Sequence, residues 1–157
     1  MWILICCIII AVIIITIAKT KTTKLTKMSF KEALDLTEVP IITFYNNNIK
    51  LNFLLDTGSS MSFIRNTIID KCTYIQSSES AEYVDINGHV KNSNMCIMNI
   101  GYKNNVFKEE FTIADLEAFD ILKERFGVQI HGILGNTFFN KYNYVLDYKD
   151  YIVYSKK

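Results

Sequence analysis

Alternation of apolar and polar side chains predicts that most of the chain beyond residue 39 folds as β-strands. The clearest case is the segment 49–55, in which apolar residues at every second position alternate with Lys50 and Asn52. A period of two residues is that of a strand with one buried face. By the same patterning, further strands are predicted at 40–45, 61–64, 95–102, 106–113, 128–134, 144–148 and 151–154.

A β-hairpin and a few helices complete the predicted elements. Asn87-Gly88 stands between two short segments, 83–86 and 89–91, and this dipeptide is a strong signal for a two-residue hairpin turn. The longest helical pattern is 115–126, which Gly127 ends. Its apolar stripe is interpreted as core packing and not as a partner site, and consists of Leu116, Phe119, Leu122 and Phe126.

Three shorter segments are less sharply patterned. Residues 66–71 and 136–140 are each predicted to form a short helix or helical turn. The segment 29–38 fits either a short amphipathic helix or an irregular linker, and the sequence does not decide between them.

The N-terminal residues differ from the rest of the chain. Residues 2–18 form an apolar run without a charge, which as a helix would span about 26 Å, close to the thickness of a bilayer core. A signal peptide is the alternative, but no basic residue precedes the run and a cleavage site is marginal. We therefore expect a transmembrane anchor at 1–18 and a Lys/Thr-rich tether and linker at 19–38, followed by a single folded domain at 39–157.

Charge and composition narrow the possible partners. The 157 residues include 17 basic and 16 acidic side chains, and four of the lysines lie between residues 19 and 27. This local excess predicts contact with the membrane surface and, by the positive-inside rule, weakly favours a cytoplasmic domain, although an exported domain stays possible. Without these lysines acidic residues outnumber basic ones, so no basic patch indicates nucleic acid.

Cysteine and histidine are sparse. Cys72 and Cys96 are too few for a disulfide framework, so both are predicted to be reduced and at least partly buried. His89 and His131 are far apart in sequence and lack neighbouring ligand residues. No metal site and no cofactor are predicted.

The candidate chemistry begins where the predicted strand 49–55 ends. Asp56 follows Leu54-Leu55 directly and opens the sequence Asp-Thr-Gly-Ser-Ser, in which Gly58 permits close backbone approach and the hydroxyl residues favour a turn. A carboxylate is thereby presented on a tight loop at the tip of a buried strand. An ordinary turn that closes a strand is the simpler reading of Asp-Thr-Gly alone.

A second motif changes that reading. The sequence His-Gly-Ile-Leu-Gly-Asn-Thr-Phe-Phe occupies 131–139, and together with Leu-Leu-Asp-Thr-Gly-Ser-Ser it resembles the retropepsin-like aspartic protease family. The resemblance covers about 39–154. It implies a mostly β fold, a closed barrel or sandwich lobe with a flap hairpin, one longer helix and one short C-terminal helix.

The resemblance also implies roles for individual residues. Asp56 would be the catalytic carboxylate, supported by Thr57, which links the loops of two subunits, by Gly58, and by Ser59, placed to hydrogen-bond the carboxylate from outside. The strand beneath this loop would be Ile133, Leu134 and Gly135. The hairpin around Ile86, Asn87 and Gly88 would be the flap that covers a bound peptide, whereas without the resemblance it is simply a surface hairpin.

A single Asp-Thr-Gly completes a catalytic pair only if two copies meet across a two-fold axis. The expected function is therefore that of a membrane-anchored aspartic endopeptidase that acts as a homodimer on peptides or proteins, without a cofactor. Two alternatives are a catalytically silent dimer that binds peptides or acts as a scaffold, and a membrane-bound assembly factor without a peptide site. Turnover of an unfolded protein would separate the first function from the others.

Overall fold

The computed structural model describes residues 28–85 and 88–156, and the predicted anchor and residues 19–27 of the predicted tether lie outside this part. Within the described part no helix is both long and apolar enough to cross a bilayer. The strands are β1 (Ile41–Asn46), β2 (Ile49–Leu55), β3 (Phe63–Arg65), β4 (Tyr74–Val84), β5 (Val90–Tyr102), β6 (Asn105–Ala114), β7 (Gly132–Leu134), β8 (Tyr144–Asp147) and β9 (Ile152–Ser155). The α-helices are α1 (Phe30–Thr37), α2 (Asp120–Phe126) and α3 (Asn136–Tyr142), and 3₁₀ turns occupy Ile69–Lys71 and Glu117–Phe119.

Six strands form a closed barrel. They pair in the order β1-β2-β7-β3-β6-β5, and β5 returns to β1 through the pairing of Gly101 with Tyr45. Strand β4 extends the sheet beyond β5, while β8 and β9 form a separate two-stranded sheet. The mostly β architecture predicted from the alternation is confirmed.

The barrel closes around aromatic side chains. Phe44 lies at the centre, with its ring centroid 5.7 Å from Phe53 and 6.1 Å from both Phe107 and Phe138. These four rings are at most 4% exposed. Because they come from β1, β2, β6 and α3, burial of their apolar surface fixes the helix against the barrel.

The undecided segment 29–38 forms the helix α1. Ser29 caps its start, since the Ser29 hydroxyl accepts the Glu32 N–H at 3.3 Å and the Glu32 carboxylate accepts the Ser29 N–H at 3.0 Å. This reciprocal pair satisfies two backbone donors that the first turn of a helix leaves free. The helix packs on the C-terminal hairpin, where the ring of Phe30 lies 5.3 Å from that of Tyr148.

The predicted helix 115–126 is shorter than expected. The Leu116 backbone is not helical, and its carbonyl accepts a hydrogen bond from Nη2 of the buried Arg65 at 2.6 Å. The Asp115 carboxylate accepts the Glu117 N–H at 2.9 Å, which favours a turn. The α-helix therefore begins only at Asp120.

Several strand boundaries also differ from the prediction. Only the last three residues of 128–134 pair as a strand, because the carbonyls of Gln129 and Ile130 accept side-chain donors from Asn52 and Arg65 instead of strand partners. The strands of the predicted hairpin are far longer than expected, since β4 begins at Tyr74 and β5 runs without a break to Tyr102. The free and at least partly buried state predicted for Cys72 and Cys96 is confirmed.

His131 makes the stability of the fold sensitive to acid. Its ring is 5% exposed and its Nδ1 accepts the Asn52 N–H at 3.0 Å, which requires a neutral ring. Burial, with smaller contributions from Arg65 and Lys71, lowers the pKa of His131 from 6.5 to about 4. Between these values the unfolded chain binds more protons than the folded one, so the free energy of unfolding falls as the pH is lowered.

Between pH 7 and pH 4, we expect the free energy of unfolding to fall by about 3 kcal/mol less in His131→Gln than in the wild type. Gln keeps an acceptor for the Asn52 N–H but has no titrating group. Urea unfolding at both pH values measures the difference, and His89→Gln, at an exposed histidine, serves as the control. If the free energy of unfolding falls equally in the wild type and in His131→Gln, the acid sensitivity does not come from His131.

Candidate active site

Asp56 lies at the carboxyl end of β2, at the point where the barrel opens. Strands β2 and β7 run parallel, with Leu55 opposite Leu134, and the Asp56 N–H continues this pairing by donating to the Leu134 carbonyl at 3.0 Å. The side chain of Asp56 is half-buried, whereas Leu55 and Leu134 are buried. A rigid pair of strands therefore fixes the backbone of a carboxylate that solvent can reach.

The loop after Asp56 is closed by its own hydrogen bonds. Oδ1 of Asp56 accepts the Gly58 N–H at 2.8 Å, and the Asp56 carbonyl accepts the Ser59 N–H at 3.2 Å. A Cβ atom on Gly58 would lie 3.1 Å from Oδ1, which is tighter than an ordinary contact. The glycine thus permits the close approach of backbone and carboxylate.

The hydroxyl residues of the loop differ in what they contact. Thr57 is exposed, and its hydroxyl has no hydrogen bond to any residue that the structure describes. The Ser59 hydroxyl donates to the Met61 carbonyl at 2.8 Å, not to the Asp56 carboxylate as we expected. Ser59 therefore stabilises the backbone of the loop and does not contact the carboxylate.

Asn136 and Gly135 hold this loop from below. The Asn136 N–H donates to the Ser59 carbonyl at 2.8 Å, and its side-chain amide donates to the Thr57 carbonyl at 2.9 Å. Gly135 packs directly against the backbone of Met61 and Ser59. Asn136 was not among the predicted site residues, although it follows the predicted Gly135 directly and its amide can donate to loop carbonyls.

Two adjoining cavities lie between the loop and the β4–β5 hairpin. Their volumes are about 410 and 370 Å³, and Asp56 lines the larger one. The residues shared by both cavities are Ser59, Phe63, Tyr83 and Val84. The rings of Phe63 and Tyr83 touch across the cavities, with centroids 5.2 Å apart, so the hairpin covers the space beside Asp56.

The turn of this hairpin is described only in part. Ile86 and Asn87 lie outside the described residues, while Gly88 is exposed with φ 81°, in the left-handed region. The Asp85 N–H donates to the His89 carbonyl at 2.9 Å, so the predicted hairpin is confirmed. Three residues separate Asp85 from His89, so the predicted two-residue turn was wrong. The predicted contacts of Ile86, Asn87 and Gly88 with substrate stay predictions.

The wall opposite the hairpin comes from the helical pattern that we interpreted as core packing. Leu116 is buried in the core and Phe119 and Leu122 pack against it, so the interpretation is confirmed for these three residues, whereas Phe126 is 39% exposed and the interpretation was wrong for it. Leu116 and Phe119 also line the larger cavity. Arg65 holds the wall by donating to the Leu116 carbonyl and, at 2.9 Å, to the Asp120 carboxylate. Hydrogen bonds from Gln129 and Arg65 keep the pKa of Asp120 below its usual value.

Three other carboxylates line the same cavity, and two of them, Asp85 and Asp115, are held by contacts of their own. Asp85 accepts the His89 N–H at 3.0 Å and lies 3.2 Å from the Lys91 ammonium. Asp115 accepts the Glu117 N–H. The third, Glu117, is exposed in the 3₁₀ turn Glu117–Phe119. Asp56 is therefore the lining carboxylate that a glycine loop holds through its own side chain.

Asp147, another aspartate at the end of a strand, does not join this site. Asp147 accepts the backbone N–H groups of Lys149 and Asp150, at 2.9 and 3.0 Å, and closes the turn of the C-terminal hairpin. In residues 28–85 and 88–156 no group of three or more His, Cys, Asp or Glu side chains is placed to hold a metal ion.

Comparison with known proteins points to one family. A family model described as aspartyl protease matches residues 42–138, which include both the Asp56 loop and the strand beneath it. Among solved structures, the EIAV protease complexed with the inhibitor HBY-793 is 19% identical, with a TM-score of 0.49, over 68% of this chain and 90% of that chain. No curated protein sequence matches significantly.

Proposed function

The chain belongs to the retropepsin-like aspartyl protease family, and from this premise we propose that it hydrolyses peptide bonds as a homodimer with one Asp56 from each copy. The observation that carries the proposal is the placement of Asp56 on its glycine loop, beside a cavity that a hairpin covers. This arrangement puts a solvent-accessible carboxylate where an extended peptide can lie.

The proposed chemistry needs two carboxylates and a water molecule. Two carboxyl groups a few ångströms apart cannot both ionise cheaply, so the pair holds one proton between them. The ionised carboxylate removes a proton from the water, which attacks the scissile carbonyl, and the protonated carboxyl donates to the carbonyl oxygen. The tetrahedral intermediate then collapses as the leaving nitrogen takes up a proton, and no covalent bond to the enzyme forms.

One copy of the chain supports only half of this mechanism. Asp85, Asp115 and Glu117 line the same cavity, but hydrogen bonds and the Lys91 ion pair hold the first two in other roles. Glu117 is exposed in a 3₁₀ turn and is not held by a loop of the kind that presents Asp56. The exposed Thr57 hydroxyl has no partner among the described residues and is therefore free to bind a second copy. These features favour a pair of Asp56 carboxylates across a two-fold axis.

Attachment to a membrane would favour such a dimer. The apolar run 2–18 and the lysines after it support an N-terminal anchor and a domain on the cytoplasmic face. Two copies that diffuse in one membrane have a higher effective concentration than the same copies in solution.

We expect the specific activity of the whole chain to rise with protein concentration and then to level off, because only the dimer has a complete site. Peptide hydrolysis over a dilution series in detergent measures this, together with the mass by sedimentation. When the same dilution series is made with the chain in lipid vesicles, the activity should persist to lower overall protein concentrations than in detergent. An active and strictly monomeric protein would overturn the dimer, and chain that does not float with vesicles would overturn the anchor.

A further inference from the structure

A buried carboxylate that the proposed mechanism does not use lies behind the active loop. Glu109 occupies the face of β6 that also presents Phe107 and Phe111 to the core, and it is only 2% exposed. A charged group at such a position is costly unless it is paired and hydrogen-bonded. Its contacts therefore show what it stabilises.

The partners of Glu109 come from two separate segments. Oε1 accepts the Ser62 hydroxyl at 2.9 Å and the Thr137 hydroxyl at 3.2 Å. Oε2 lies 3.5 Å from the ammonium of Lys141, which reaches in from the surface. The carboxylate thus joins the end of the Asp56 loop to the helix α3.

These contacts continue to the active loop itself. The Ser62 hydroxyl, oriented by its bond to Glu109, accepts the Gly135 N–H at 3.3 Å. The next residue, Asn136, holds the carbonyls of Thr57 and Ser59. Segment 135–137 therefore forms hydrogen bonds with both ends of the loop. At the Ser62 end, Glu109 accepts hydrogen bonds from both Ser62 and Thr137.

We propose that ionised Glu109, paired with Lys141, is a positioning residue that sets the geometry of the Asp56 loop. The inference rests on the proposed peptidase function, since it assigns Glu109 a part in that activity. Glu109 does not contact substrate in this role. It acts through Ser62 and Gly135 on the backbone that carries Asp56.

Protonation of Glu109 should loosen this arrangement. Burial raises the pKa of Glu109, against the opposing effects of the Ser62 and Thr137 hydroxyls and of Lys141. A bound proton removes the charge that attracts Lys141 and replaces an acceptor by a donor. Because the Ser62, Thr137 and Lys141 contacts favour the ionised form, they hold the loop above the pKa of Glu109 and weaken as the pH falls through it.

Glu109→Gln tests the role of the charge, because Gln keeps an oxygen that accepts the Ser62 hydroxyl. For the whole chain near pH 7 we expect kcat to fall roughly tenfold, with KM within about twofold of the wild type. The amide NMR signal of Gly135 should shift with pH in the wild type and not in Glu109→Gln. In Lys141→Met, where the carboxylate loses its cation, the same shift should occur at higher pH.

Glu110→Gln is the matched control, since Glu110 is the next residue of β6, on the opposite face, and accepts only the Ser77 hydroxyl at 3.4 Å. It should leave kcat and the titration of Gly135 unchanged. A Gly135 signal that does not titrate in the wild type, or that titrates equally in Glu109→Gln, overturns the positioning role. If the wild type hydrolyses no peptide but Gly135 still titrates through Glu109, the proposed function fails and the control of the loop by Glu109 stands.

Discussion

The Asp56→Asn protein should fold and dimerise as the wild type does, yet lose peptide hydrolysis by about 10³-fold or more. Asn has nearly the same shape and its Oδ1 can still accept the Gly58 N–H, which lies 2.8 Å from Asp56 Oδ1 in the wild type. It cannot take a proton from water at neutral pH. The substitution thus removes the chemistry and leaves the loop in place.

Asp147→Asn is a control with the same chemical change in a similar setting. Asp147 also ends a strand and accepts two backbone N–H groups of a turn, but it lies outside the cavities beside Asp56. Its activity should match that of the wild type. Hydrolysis rates, thermal unfolding and sedimentation of both variants complete the comparison.

Either of two results would count against the catalytic assignment. Full turnover by Asp56→Asn would mean that the active carboxylate lies elsewhere. A wild type that binds peptides without cleaving them over a range of acidic to neutral pH would favour the alternative of a silent, dimeric peptide-binding module. A barrel edge beneath a hairpin can bind an extended peptide by strand addition without any chemistry.

The parts of the fold that local patterning determines were predicted well. Strand β2 begins and ends where the alternation of 49–55 indicated, and Asp56 follows it on the expected turn. The hairpin of β4 and β5 forms around Asn87-Gly88, although its connection is one residue longer than the two-residue turn predicted. In each case the signal is contained in fewer than ten neighbouring residues, so the sequence alone is sufficient.

The parts that depend on contacts between distant residues were not predicted. Arg65 donates a hydrogen bond to the Leu116 carbonyl, 51 positions away. This contact shortens the helix, although the apolar residues of 115–126 have helical spacing. The amide of Asn136 reaches the Thr57 carbonyl, 79 positions away. No local pattern carries the information that these donors and acceptors meet.

The role of Glu109 could be predicted only in part. Its position between Phe107 and Phe111 in an alternating strand was itself a signal, because a carboxylate on the apolar face must find partners inside the fold. Which partners it finds was not visible. Ser62 and Thr137 are ordinary hydroxyl residues in the sequence, and only the closing of the barrel brings them to one carboxylate.

Gly135 packs against the backbone of the active loop. Gly135→Ala should therefore strongly disrupt the site. The new Cβ would lie 2.2 Å from the Met61 carbonyl oxygen and 2.9 Å from that of Ser59. Both are backbone atoms of the active loop, so the clash cannot be relieved by turning a side chain. We expect the free energy of unfolding to fall by about 2 kcal/mol or more.

Activity should fall further than stability alone requires. Displacing the loop by about 1 Å misplaces the Asp56 carboxylate, and such a change costs roughly 10²-fold in rate even in fully folded protein. Gly101→Ala is the control, because a Cβ there would meet only the Tyr45 and Asn105 carbonyls, at the ordinary distances of 3.7 and 3.8 Å. Urea unfolding and peptide hydrolysis well below the melting temperature separate the two effects. If Gly135→Ala behaves like Gly101→Ala in both measurements, the loop is not held by close contact with Gly135.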